Sequence, residues 1–217
     1  MKLWWIHLRL WFRRLLSGRT VSVQTELDSA RLVGERLEDL VVKRGQCPDD
    51  DRNILLMGYW ALLFDFHKAI LGLISKPLCG SAFALVRPCM EALVRAHVAV
   101  KGSAADIESL QKDTYRTNFA TIGLWMDAEF GTGDLFTNFL GHARAALHSF
   151  THAGISQLGR RFDGHDLKAS YDEGEIIEVI RVSTSAVWMV TNLVTKHLGF
   201  TAEATKAEEL YLEWGKH

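Results

Sequence analysis

The chain has 217 residues, 48% of them hydrophobic, with 25 lysines and arginines against 26 aspartates and glutamates. That is enough for one substantial core, and a formal net charge of −1 excludes a globally basic nucleic-acid binder. Its three cysteines, Cys47, Cys79 and Cys89, are odd in number and form no C-x-x-C pair, which argues against a disulfide framework or a thiolate metal site and fits a reducing cytoplasm.

The charge is unevenly placed. Residues 1–25 hold Lys2, Arg9, Arg13, Arg14 and Arg19 and no acid, leaving 20 basic against 26 acidic residues elsewhere. In residues 1–18, Trp4, Leu8, Trp11 and Leu15 form one stripe, with Lys2, Arg9 and Arg13 on the other side. This reads as a basic amphipathic helix preceding a single bundle domain over 19–217. The segment is too short and too charged to span a bilayer, and it lacks the uninterrupted apolar run of a secretory signal. Two readings remain: it packs against the body or a second subunit, or it lies in the membrane interface at the inner face through its tryptophans.

Strand-like alternation is nearly absent, and helical periodicity recurs throughout, which predicts an all-α bundle of about six to eight helices. Leu27, Ala30 or Arg31, Val33 or Gly34, Leu37, and Leu40 or Val41 mark an amphipathic helix over about 23–44, ended by Gly45. Three aspartates, Asp49 to Asp51, are placed to cap the next helix, over 53–75, rather than to hold a metal. Its inward face is read as Leu55, Leu56, Tyr59, Leu62, Leu63, Phe66, Ile70 and Leu73. Asp65 and His67 interrupt that apolar run and are expected to pair with a neighbouring helix, with Arg87 or Arg95 as partners.

Residues 78–101 read as the central helix. Arg87, Glu91 and Arg95 recur at i, i+4 and i+8 and share one narrow face, so the carboxylate can be paired on both sides. They form either a structural ion-pair ladder or an anion pocket. Pro88 predicts a bend or a break there. Short helices are expected over 104–112 and 118–130. The glycine-containing stretch 131–134 lacks the lysine and glycine spacing of a phosphate loop.

A second polar set follows in DLFTNFLGHARAALHSFTHAG, residues 134–154, where Arg144, His148 and His152 again recur at i, i+4 and i+8. Three readings stand: helix-end hydrogen bonding, a metal site drawing on Glu91, or general acid–base chemistry in which arginine stabilises a phosphorane-like charge. No motif supplies the remaining metal ligands, so neither a metal nor a cofactor is expected.

The pairing of SAFALVRPCMEALVRAHV with the later LHSFTHAG resembles bacterial all-α domains of uncharacterised function near the HEPN group of helical nucleases and defence-associated proteins. The resemblance covers residues 55–161. It implies a metal-independent ribonuclease site with an arginine a short spacer before a histidine near a helix end, completed across a homodimer, with RNA as partner. His152 would be that histidine. Three residues separate Arg144 from His148 and seven separate it from His152, neither of which is the family's spacing. An arginine from another helix is the substitute, with Arg87, Arg95, Arg160 and Arg161 as candidates. Arg160 and Arg161 lie in a basic turn that is either solvated or phosphate-holding. The chain closes with a long helix over 175–198 and a surface or dimer-contact helix over 201–214 bearing Leu210 and Trp214.

Overall fold

The computed structural model describes residues 21–45, 49–116, 119–130, 133–134, 136–138, 141, 148–152, 154–163, 165–167 and 169–216. The amphipathic helix expected over 1–18, Arg144 and Cys47 lie outside them. The fold is an all-α bundle of the expected helix count. In chain order the described helices are α1 Val23–Val42, α2 Asp51–Ile74, α3 Cys79–Lys101, α4 Ala104–Gln111, α5 Phe119–Phe130, α6 Ile155–Gly159, α7 Glu173–His197 and α8 Thr201–Trp214. One small antiparallel hairpin joins α6 to α7, with Phe162 opposite Leu167 and Asp163 opposite Asp166.

Local chemistry sets the helix starts. Ser22 accepts from the Thr25 amide, and Asp50 accepts from the amides of Arg52 and Asn53. Ser103 with Asp106, and Asp172 with Glu175, form capping boxes on α4 and α7.

The most enclosed helix is α7 rather than α3: Val179 to Asn192 are buried without interruption. A helix buried all round must satisfy its own polar groups. Thr184, Thr191 and Thr195 do so by donating to the carbonyls of Ile180, Val187 and Thr191, each at 2.8 Å. Around it α2 and α3 pair as an antiparallel hairpin, α1 packs on α7, and α8 packs on both α7 and α1. The apolar stripe of α8 is therefore spent inside this chain: Trp214 is buried, and Tyr211 stacks on Trp188 with ring centroids 3.9 Å apart. Both α2 and α7 are long and apolar enough to cross a membrane; α7 lends most of its surface to this core, whereas α2 lends one side and leaves Ile54 and Leu62 exposed.

The buried face of α2 is Leu56, Trp60, Leu63, Phe64, His67, Ile70, Leu71 and Ile74, turned from the expected one; Leu62 is exposed, while Tyr59 and Phe66 are only partly covered. Asp65 is exposed, so it is not the buried partner of an arginine. His67 is 2% exposed and meets Ser183 of α7, Nδ1 to Oγ at 3.1 Å, rather than Arg87 or Arg95. Its Nε2 lies toward the Ala30 carbonyl without closing a good hydrogen bond.

Burial pulls the His67 imidazole down from 6.5 to about 4, so the unfolded chain takes up this proton first as pH falls. Stability should drop from about pH 6.5 toward about pH 4. In urea denaturation the His67→Gln variant, which keeps a side chain able to bond Ser183, should lose about 2 kcal/mol less than the parent between roughly pH 7 and 5. An identical pH slope in the two proteins would contradict the burial argument.

Candidate functional site

The central polar face of α3 and the histidine segment meet, and Pro88 helps them do so. Lacking an N–H, Pro88 leaves the carbonyl of Ala84, four residues back, without its helical partner. The helix nonetheless continues through it. The Thr151 hydroxyl donates to that carbonyl at 3.4 Å, fastening the helical segment 148–151 across α3. Beside it Phe150 is buried against Phe83, whose ring also meets Tyr171, both at 5.2 Å between centroids. With Phe150 and Thr151 held inward, His148 and His152 remain exposed on the segment.

Arg87 links the two sets. Its Nε donates to Glu91 Oε1 at 2.9 Å, and its Nη1 donates to His148 Nδ1 at 2.6 Å. A guanidinium can only donate, so Nδ1 carries the lone pair, and the neutral His148 ring bears its proton on Nε2. The His152 ring lies 4.4 Å from that of His148, centroid to centroid, tilted by 49°. The side chain of His152 makes no hydrogen bond among the described residues. The arrangement is thus a carboxylate, a guanidinium and an imidazole in series, with a second imidazole beside them at the surface.

Arg95 is not part of this cluster. It donates to Asp113 Oδ1 at 3.0 Å and to the Tyr115 carbonyl at 3.4 Å, a link from α3 to the segment after α4. Two steps of four residues carry a side chain about 80° around a helix and about 12 Å along it, so an i, i+8 pair need not face one partner. Arg160 also stands apart, in an ion pair with Glu175, which is itself committed to the α7 capping box. Arg161 sits with the Tyr171 hydroxyl against Gly80 in the first turn of α3, about two turns before Arg87. A Cβ at Gly80 would approach Tyr171 Oη to 2.6 Å, so a larger residue there would displace the Tyr171 hydroxyl and the Arg161 guanidinium.

Among the described residues, no three His, Cys, Asp or Glu side chains gather as metal ligands. Cys89 is fully enclosed, and burial pushes its thiol up to about 12, far from the thiolate a nucleophile needs.

Two features were not anticipated from sequence. Glu26 of α1 and Arg181 of α7 form a buried bidentate pair, with Nε to Oε1 at 3.2 Å and Nη2 to Oε2 at 3.0 Å. A cleft beside Trp125 contains the buried Asn192. No protein-family model, curated protein or solved structure matches this chain.

Proposed function

We propose that this chain is a HEPN-like helical domain of bacterial defence or toxin type that cleaves RNA without a metal at the Arg87–His148–His152 cluster. The observation that supports it best is the 2.6 Å contact from Arg87 Nη1 to His148 Nδ1, with His152 alongside. It supplies an arginine from another helix where the linear spacing around Arg144 does not.

In this reading His152 takes the proton of a ribose 2′-hydroxyl. The 2′-oxygen attacks the adjacent phosphorus, the bond to the 5′-oxygen breaks, and that oxygen leaves with a proton from water. Charge that builds on the phosphoryl oxygens meets the Nε2–H of His148, polarised by the guanidinium behind it. A cytoplasmic homodimer belongs to the same proposal.

The Arg87–Glu91 ion pair favours a second reading, a non-enzymatic bundle whose polar cluster is structural or binds a partner or small anion. Incubating a mixed RNA pool with the purified chain in excess EDTA separates them. The nuclease reading expects cleavage that survives chelation and leaves 2′,3′-cyclic phosphate ends. Intact RNA in every lane would favour the structural reading.

A further inference from the structure

A cleft of about 300 Å³ opens near the C-terminal end of α3, between α3, α5 and α7. Leu93, Lys101, Trp125, Met189, Asn192 and Lys196 line it, and none of them belongs to the histidine cluster. Its polar groups are of a kind that packing alone leaves unsatisfied.

Asn192 is 3% exposed, and its Nδ2 donates to the Trp188 carbonyl at 3.3 Å. Its Oδ1 is buried with no hydrogen-bond partner. A buried acceptor in that state costs about 1–3 kcal/mol, which a donor arriving from outside would recover. His97, one turn before Lys101, stacks on Trp125 at 3.2 Å between centroids, and its Nδ1 is buried without a partner too. Trp125 thus forms a wall of the cleft, backed by a second ring. Two cations complete the set: Lys196, which reaches Glu208 at 3.4 Å, and Lys101, which has no carboxylate at ion-pair distance among the described residues.

We infer that this cleft binds a small planar ring that carries an N–H donor and an anionic substituent, a nucleoside monophosphate being the form that uses Trp125, Asn192 and both lysines. The ring stacks on Trp125, its N–H donates to Asn192 Oδ1, and its phosphate meets Lys101 and Lys196. Binding pockets start at about 300 Å³, so the cleft has room for one nucleotide and not for a strand. The inference stands without the nuclease reading, since a chain that leaves RNA intact can still hold a nucleotide here.

The test is an NMR titration of the intact chain, following the Trp125 indole N–H, assigned by loss of its signal in Trp125→Phe. The probes are the four ribonucleoside 5′-monophosphates, the corresponding nucleosides and indole-3-carboxylate. A saturable shift with a monophosphate, and at least tenfold weaker binding by Lys101→Glu, is the expected result. Asn192→Leu should abolish the shift; if that variant fails to fold, the surface variant Lys101→Glu decides. Saturation by indole-3-carboxylate alone would keep the chemistry and identify an aromatic carboxylate as its source. No saturable shift with any probe at about 10 mM, or binding that Lys101→Glu leaves unchanged, overturns the inference.

Discussion

Glu26→Ala lowers the free energy of unfolding by about 3–5 kcal/mol, the largest single-residue stability loss expected in this fold outside its apolar core. The carboxylate is 2% exposed and accepts from two N–H groups of the Arg181 guanidinium, so its removal takes the facing negative charge away from a cation held inside the bundle. The pair also joins the first turn of α1 to α7. Much of the loss is the penalty of a buried cation deprived of its carboxylate and not the net worth of the pair. Glu26→Leu combined with Arg181→Leu should therefore recover most of the stability, because apolar residues of similar volume often replace a buried pair at little cost. Urea denaturation of the two single variants and the double variant measures this. A loss below about 1 kcal/mol for Glu26→Ala would mean that water reaches the pair.

The second large effect concerns chemistry. In the nuclease reading, His152→Ala should slow RNA cleavage by about 10²–10⁴-fold, the usual contribution of a positioned general base. Its stability should change little, because the imidazole is exposed and makes no side-chain hydrogen bond among the described residues. Single-turnover cleavage of a defined RNA, with thermal unfolding measured in parallel, reads the two quantities separately. A variant that cleaves at the parent rate would remove His152 from the mechanism.

What could be read in advance followed the strength of each local signal. The bounds of α1, α2, α3, α4, α5, α7 and α8 fell within two residues of expectation; Ser22, Asp50 and Ser103 cap α1, α2 and α4 through their side-chain oxygens, and Gly45 after α1 and Gly199 after α7 adopt the positive φ that ends a helix. Facing was harder. Helix α2 is apolar nearly all round, so no stripe fixed its orientation, and Trp60 and Phe64 turned inward where Tyr59 and Phe66 had been expected.

The enclosure of α7 was hidden for a related reason. Ser183 lies on the side expected to be buried, while Thr184 and Ser185 beside it look like a polar face; all three hydroxyls bond to backbone, to His67 or to Tyr211 inside the core. Arg181 and Asn192 were missed with it. A charge within an otherwise apolar helix of that length was the available sign. In the polar cluster, spacing did identify Arg87, Glu91, His148 and His152 as residues with shared faces. It could not reveal that Pro88 frees a carbonyl for Thr151, which is a three-dimensional consequence of a one-residue defect.

The central claim is that Arg87 and His148 act as one unit beside His152, and a double-mutant cycle on the chelator-resistant cleavage rate tests it most directly. Arg87→Gln, His148→Ala and their combination are compared with the parent, each first checked for folding. Residues acting as a unit are far from additive, so the account predicts that the double variant is no slower than the slower of the two singles. Rate losses that multiply, or a parent protein that leaves RNA intact, would contradict it.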